Sequence, residues 1–334
     1  MIDVTPVLLT YLGLIFLGQG LEILAERLNT RRIARQGGQV PPAVKGWIDP
    51  EKMAQSARYS IDKLRFGRFR VLTAEALMIA LLVSGLLPAL TDRLAGWGAI
   101  PAGLAFFGAV GGLLFVADLP FDYWSTFVIE QRHGFNTRTQ KIWAADVAKG
   151  ALVASVIFAA LLAAVLLVIR FAGPLWWPAA WAVVIAFQAG LALAYPALIA
   201  PIFNTFTQVQ DESLREKILE MTRRAGIRVR GVDQMDASKR TRHTNAYFAG
   251  LGRTRRIVLY DSLLSAHDHE EILAVLAHEI GHLKRRHIAK QLVFAAAWTL
   301  AVFAAAGFLV FWPGLYAGFG FSGQEPYVGL FLAA

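Results

Sequence analysis

The residues His278-Glu279-Ile280-Gly281-His282 form the pattern with the clearest chemical consequence in this sequence. Two histidines four residues apart lie on one face of a helix, so both imidazoles can reach a single Zn²⁺ ion. Glu279 can act as the general base on a metal-bound water, whose pKa the metal lowers. The pattern therefore predicts a hydrolytic site with one Zn²⁺, the ligands His278 and His282, and the base Glu279. The alternative is a helix with two solvent-facing histidines.

The helix that carries this pattern has its own start signal. Asp268 followed three residues later by Glu271 is typical of a capping box, in which each side chain caps a backbone N–H at the helix start. Apolar residues then recur at helical spacing toward the next apolar stretch. The sequence predicts a helix whose buried face positions the two histidines.

The same polar segment, 201–291, is long enough to fold as a small domain. Ser213 and Glu216 form a second capping-box pattern, which predicts a helix that continues to Gly226. Short runs rich in strand-forming residues follow, and the last two predict a hairpin; the runs are Ile227–Val232, Asn245–Ala249 and Arg256–Tyr260. We therefore predict a small α+β, zincin-like catalytic domain with an edge strand that could hold an extended substrate.

The composition indicates that the rest of the chain lies in a membrane. Of 334 residues, 56% are hydrophobic and only 17% are charged, and the mean hydropathy is +0.48. A soluble domain of this size needs a more polar surface. Five or six apolar stretches are long enough to cross a bilayer, which takes roughly 20 residues of helix; they lie near 5–25, 69–90, 97–117, 151–172, 175–200 and 292–312.

A shorter apolar run, Tyr327–Ala334, predicts the start of a seventh span. The predicted fold class is therefore mainly α: a polytopic helical membrane protein with six full spans, the start of a seventh, and the small α+β domain. The predicted domains are an N-terminal membrane region at 1–200, the metalloprotease domain at 201–291 and an incomplete C-terminal membrane region at 292–334.

The distribution of basic residues predicts the topology. Ten Lys and Arg residues fall in 26–68, four in 118–150 and sixteen in 201–291, whereas the alternate segments hold almost none. The positive-inside rule then places these three segments, and the catalytic domain, in the cytoplasm. No cleavable signal is evident, which fits a plasma (inner) membrane or an endoplasmic reticulum membrane equally.

The net charge of +9 does not indicate nucleic-acid binding, because no motif or aromatic pattern supports it. We expect the basic runs Arg253–Arg256 and Lys284–Arg286 to meet anionic lipid headgroups. The sequence contains no cysteine, which excludes disulfides and thiolate metal ligands.

Catalytic zinc usually has three protein ligands and a water molecule. His287 points away around the helix, Glu271 lies two turns back, and Glu325 falls in a segment predicted across the bilayer. We therefore expect the third ligand beyond Ala334.

The sequence resembles the type I CAAX prenyl protease family, membrane-embedded zinc endopeptidases of the gluzincin group. The resemblance rests on several blocks in the family's order, spread over nearly all of the chain; these are Ser56–Arg70, Phe127–Thr139, Tyr195–Phe206, Ala237–Leu264 and Leu276–His287.

The resemblance implies seven spans around a large chamber and cleavage of a C-terminal tripeptide after a prenylated cysteine. It implies zinc binding by His278 and His282, catalysis by Glu279, and a third, glutamate ligand after the seventh span. It also implies that Asn245 and Ala246 lie on the strand that holds the substrate. From the residues alone, a strand-start or turn asparagine is the more common interpretation of Asn245; with the family match, the two interpretations are about even.

Two further features have alternative interpretations. His243 could assist at the site, although an exposed hairpin histidine is the simpler interpretation. The polar loop 127–139 could line an entry to the chamber or could serve only for capping and packing between spans.

We therefore expect a zinc endopeptidase that cleaves membrane-associated protein or peptide substrates, prenylated or not, with the lipid bilayer rather than nucleic acid as its other partner. The alternatives are a general quality-control protease for membrane proteins and a non-catalytic membrane protein with a degenerate zinc site.

Overall fold

The computed structural model describes residues 3–42, 45–46, 49–250, 255–285 and 287–333. These residues form thirteen α-helices and a four-stranded sheet. The helices are α1 (Pro6–Gln36), α2 (Pro50–Ser84), α3 (Leu86–Arg93), α4 (Ala99–Trp124), α5 (Gln140–Phe171), α6 (Trp176–Ala194), α7 (Ala200–Phe203), α8 (Glu212–Arg224), α9 (Asp261–Ala266), α10 (His269–Lys284), α11 (His287–Leu309), α12 (Pro313–Gly318) and α13 (Pro326–Ala333). The strands are β1 (Phe206–Gln208), β2 (Val232–Met235), β3 (Ala246–Ala249) and β4 (Arg256–Tyr260).

Five helical segments of the described chain are long and apolar enough to cross a membrane, which confirms five of the predicted spans as helices of that kind. They are Pro6–Gln36, Ala99–Glu130, Gln140–Phe171, Gly173–Phe203 and Lys290–Leu309. Two of them contain a π-helical turn, at Ser125–Glu130 and at Tyr195–Ile199. The seventh span stays a prediction; α13 occupies its expected position.

The predicted span at 69–90 is broken rather than continuous. Helices α2 and α3 meet at 62°, and they count as one span only if this bent pair is taken together. Gly85 joins them with φ of 82°, a left-handed conformation that glycine adopts without the steric cost of a Cβ. The apolar character of the stretch gave no sign of this bend.

The chain forms two compact units, Met1–Gly134 with Ala305–Ala334 and Phe135–Ala304. In the first unit, α1 packs against α2 and α12, and α4 packs against α2 and α13. The second unit contains α5, α6 and the whole sheet. The predicted domain boundaries at 200 and 291 stay predictions.

The sheet of the second unit has the strand order β1-β2-β4-β3. Strands β1 and β2 are antiparallel, β2 and β4 are parallel, and β4 and β3 form the predicted antiparallel hairpin.

Residues 251–254 of the hairpin turn, and Arg286 of the second basic run, lie outside the described residues. One face of the sheet and helices α8 and α10 share a core, which contains Leu214, Ile218, Val232, Ala246, Ile257, Leu259, Ile272 and Leu276.

Two local predictions were wrong. The strand predicted at Ile227–Val232 begins only at Val232, because the buried Ile227 closes the end of α8 through its N–H, which donates to Thr222 O at 2.9 Å. The N-cap of α8 is Asp211 rather than Ser213, since the Asp211 carboxylate accepts from Leu214 N at 2.9 Å.

Candidate active site

Helix α10 carries the histidine pair and begins as predicted. The Asp268 side chain accepts hydrogen bonds from the backbone N–H groups of Glu270 and Glu271, each at 2.9 Å. The Glu271 carboxylate accepts in return from Asp268 N at 3.3 Å, which completes the capping box. Glu271 is therefore committed to the start of the helix, two turns before the histidines.

The opposite faces of α10 have different roles. Ile272, Leu276 and Ile280 are buried. His278 and His282 lie roughly opposite Leu276 around the helix, and both residues are exposed. Packing of the apolar face thus leaves the two imidazoles on the outer face of the helix.

The two imidazole rings converge. The Nε2 atoms of His278 and His282 lie 3.0 Å apart, and the ring centroids are separated by 4.7 Å. Two nitrogen ligands at about 2.0–2.1 Å from a tetrahedral ion would be about 3.3 Å apart. The pair therefore fits two adjacent positions of a tetrahedral zinc ion.

Among the described residues, no group of three or more His, Cys, Asp or Glu side chains could hold a metal ion. The side chain of His287 lies outside the described residues. Glu279 follows the first histidine, about 100° further around the helix, and is half-buried. The third zinc ligand therefore stays a prediction. The Glu279 carboxylate lies next to the histidine pair along the helix.

Strand β3 borders this helix and is an edge strand of the described sheet. It pairs with β4 on one side, and α10 packs against it. Asn245 O accepts from Tyr260 N at 3.0 Å, whereas Ala246 lies opposite Leu259 in the next register position. Ala246 and Leu259 therefore form a non-hydrogen-bonded pair, in which the N–H and C=O groups of each residue point away from the partner strand. The backbone of Ala246 therefore faces the open edge.

The side chains at the start of β3 differ in burial. Ala246 is 2% exposed and shares the core that contains Ile272 and Leu276 of α10. Asn245 is exposed. Of the two residues predicted to bind substrate, Ala246 is thus anchored by its side chain against α10, and Asn245 has an exposed side chain.

Three contacts that the sequence did not predict hold the segment before β3. Arg240 forms two hydrogen bonds with Asp146, at 2.7 and 2.9 Å, and a third with Phe203 O at 2.6 Å. Asp146 lies on α5, so this pair joins the segment to a membrane helix. Both side chains are largely buried: 17% of the Arg240 side chain and 14% of the Asp146 side chain is exposed.

His243 is part of the same support. Its ring stacks on Phe135 with a centroid distance of 4.2 Å and an interplanar angle of 16°. Arg242 N donates to Phe135 O at 2.9 Å, and Asn136 forms an isolated bridge with Thr241. His243 is therefore half-buried rather than exposed, and part of the 127–139 loop packs against the segment that leads to β3.

Tyr247 is the titratable side chain of β3. Burial raises its pKa to about 12, with smaller contributions from Tyr260 and Tyr195 that act in the same direction. Its hydroxyl lies 3.7 Å from Met235 Sδ. Tyr247 therefore stays protonated at neutral pH and has a packing role in the sheet.

Comparisons with known proteins extend over both the membrane helices and the histidine pair. One family profile, described as CAAX prenyl protease N-terminal, five membrane helices, matches residues 29–205, and another, Peptidase family M48, matches residues 208–330. A CAAX prenyl protease 1 homolog from Arabidopsis thaliana is 33% identical over 308 residues, which cover 88% of this chain and 72% of the relative.

Two fungal proteins extend the comparison. CAAX prenyl protease 1 from Saccharomyces cerevisiae is 32% identical over 281 residues, covering 80% of this chain and 62% of the relative. The crystal structure of S. mikatae Ste24p has a TM-score of 0.90 and 26% sequence identity, covering 99% of this chain and 82% of that chain.

Proposed function

The chain belongs to the CAAX prenyl protease family of M48 peptidases and is thus a membrane metalloprotease; we propose that it removes C-terminal residues from prenylated, membrane-associated proteins. The observation that carries this proposal is the convergence of the His278 and His282 Nε2 atoms to 3.0 Å. At this distance the two ring nitrogens can share either a hydrogen bond or a metal ion, and membership of the M48 peptidases favours the metal.

His278 and His282 would hold a single Zn²⁺ ion through their Nε2 atoms. The ion would act as a Lewis acid on the scissile carbonyl and would lower the pKa of a water molecule. The third protein ligand stays a prediction, and no described residue is assigned to it. The neutral form of both imidazoles is required, since a protonated ring nitrogen cannot bind a metal.

Glu279 would move the proton. Its carboxylate accepts the proton of the attacking water and then donates it to the amine that leaves, which is the usual double role of one general acid–base residue. The helix fixes Glu279 directly after His278, so the base and the first ligand move as one rigid element. Glu279 is therefore close to the two metal ligands without being one of them.

Strand β3 would hold the substrate backbone. An extended peptide can add to an open strand edge through main-chain hydrogen bonds, and the outward-facing N–H and C=O of Ala246 offer such a position. The Asn245 amide would donate to a substrate carbonyl. Because α10 packs against β3, a peptide on this edge would run past the helix that carries the zinc ligands.

The experiment that tests the proposal compares two peptides with the same sequence, one farnesylated on its CAAX cysteine and one not, in detergent micelles with the purified protein. We expect cleavage of the farnesylated peptide with a kcat/KM at least about tenfold higher, because the prenyl group adds apolar binding area. Equal rates would remove the prenyl-specific proposal and favour a general quality-control protease. Cleavage of neither peptide would favour a non-catalytic protein.

A further inference from the structure

A cavity of about 910 Å³ lies in the second unit where a membrane helix meets the sheet. Its lining combines apolar residues of the membrane helix with charged residues of the sheet region, among them Leu193, Pro196, Ala197, Arg230, Asp233 and Arg256. None of the residues assigned to the zinc site lines it. The cavity is therefore formed by residues other than those assigned to the proposed hydrolysis.

The depth of this cavity can be read from the membrane helix. The segment Gly173–Phe203 has 31 residues and would be about 46 Å long, well beyond a hydrocarbon core of about 30 Å. Trp177 and Tyr195 are 18 residues apart, about 27 Å of helix, and such aromatic residues favour the two membrane interfaces. Pro196 and Ala197, next to Tyr195, then lie at the headgroup level, with Leu193 just inside the core.

The charges of the cavity are unevenly balanced. Arg256 donates to Asp233 Oδ2 at 3.0 Å and to Pro196 O at 2.8 Å, and its guanidinium stacks over Phe206 at 4.8 Å. Arg256 and Asp233 thus neutralise each other and tie the sheet to the helix. Arg230 is exposed and forms no ion pair with another described residue. The lining therefore has a net positive charge, carried by Arg230.

We propose that this cavity binds the headgroup of an anionic glycerophospholipid, with the phosphate at Arg230 and the acyl chains passing Leu193 into the hydrocarbon core. A cationic side chain at headgroup depth next to an apolar helix surface complements both parts of such a lipid. A guanidinium is suited to phosphate because its N–H groups can bind two phosphate oxygens at once. A soluble anion would gain nothing from the apolar side of the cavity.

Arg230→Gln tests this proposal without disturbing the Arg256 ion pair, and Arg228→Gln is the matched control. Arg228 lies on the same connection and is exposed, but it does not line the cavity. Both variants lose one positive charge, so a general surface effect would change them equally. Arg230→Lys keeps the charge and loses the bidentate geometry.

The purified protein, delipidated in detergent, is titrated with short-chain phosphatidylglycerol, with phosphatidylcholine of the same chain length and with inorganic phosphate, while the thermal midpoint is measured. We expect phosphatidylglycerol alone to raise the midpoint. Arg230→Gln should need about fivefold more of it, Arg228→Gln the wild-type amount, and Arg230→Lys an intermediate amount.

Three outcomes overturn the proposal. Equal responses of Arg230→Gln and Arg228→Gln would mean that the lipid does not bind in this cavity. An equal effect of inorganic phosphate would identify a free anion as the ligand, and an equal effect of phosphatidylcholine would remove the requirement for a net negative headgroup. The experiment contains no peptide substrate, so its result is independent of the proposed proteolysis.

Discussion

The side-chain oxygen of Asn245 accepts a hydrogen bond from the backbone N–H of Ala246 at 2.8 Å. That N–H points to the open edge of β3, where a substrate strand would place a carbonyl oxygen. The Asn245 side chain therefore covers a donor that substrate would use. Binding of a peptide on this edge would require the amide to rotate away, and its NH₂ group could then donate to the peptide.

Replacement of Asn245 by alanine should lower kcat/KM about tenfold, because one substrate hydrogen bond of about 1–1.5 kcal/mol is lost. Asn245→Asp retains the oxygen that covers Ala246 N–H and loses the NH₂ donor. We expect the aspartate variant to be equally impaired, while both keep the wild-type thermal midpoint. Wild-type activity of Asn245→Asp would show that the amide does not donate to substrate.

Metal binding can be measured without any substrate. The protein should hold about one zinc ion, and His278→Ala or His282→Ala should each weaken zinc binding by at least about 100-fold, since each removes a ligand. His269→Ala is the control, because His269 begins the same helix and contacts Asp211 instead. The assignment of the pair is wrong if both alanine variants retain zinc in equilibrium dialysis against a chelator.

The variant Glu279→Gln separates the base from the ligands. Glutamine has nearly the same shape and cannot accept the proton, so we expect peptide cleavage to fall by at least about 1,000-fold. Zinc content should remain at the wild-type value, which elemental analysis of the purified variant checks. Cleavage at the wild-type rate would contradict the proposed mechanism.

The pH dependence of stability should report on the start of α8. The hydrogen bond from Leu214 N lowers the pKa of Asp211 against the opposing effect of desolvation, and His269 lowers it further. A lowered carboxyl pKa stabilises the fold above the unfolded-state pKa, near 4, and this stability is lost as pH falls through the folded-state pKa. An asparagine in place of Asp211 would still cap the helix but would not titrate.

Asp211→Asn should therefore have a lower thermal midpoint than the wild type at pH 7 and the same midpoint below the folded-state pKa. Asp49→Asn is a matched control at the N-cap of another helix, α2. It should not reproduce a defect that is specific to the contact of Asp211 at the start of α8 with His269 on α10. A difference that persists unchanged at acid pH would mean that the Asp211 charge is not the cause.

The elements that the sequence predicted well depend on neighbouring residues. The Asp268–Glu271 capping box, the histidine pair and the β3–β4 hairpin each involve positions a few residues apart, so spacing alone determines their geometry. The same is true of the long apolar helices, whose composition requires a membrane. The His278–His282 contact is the clearest example, because one helical turn brings the ring nitrogens together.

The features that the sequence did not predict depend on distant residues or on the sheet as a whole. Arg240 and Asp146 are 94 positions apart, so no spacing along the chain links them. Strand β1 has only three residues and exists because β2 pairs with it. Ile227 is apolar and looks like part of a strand, yet it closes a helix. These features could have been found only from contacts between segments.

The Arg240–Asp146 pair should be the main anchor of the segment that leads to Asn245. Arg240→Ala leaves the Asp146 carboxylate in a largely buried position without its partner, which should cost about 3 kcal/mol of stability. The control is Arg242→Ala, two residues further and exposed, for which we expect a change below about 0.5 kcal/mol. Thermal midpoints of the purified variants in one detergent give this comparison.

The double variant Arg240→Ala/Asp146→Ala should regain part of the stability lost in Arg240→Ala, because it also removes the carboxylate that has lost its hydrogen-bonded partner. Since Arg240 also donates to Phe203 O, the recovery should be incomplete. Both variants should have a raised KM with a smaller change in kcat, because the segment before β3 is loosened while α10 keeps its capping box. If the KM of Arg240→Ala equals that of the wild type, the pair stabilises the fold without positioning the substrate strand.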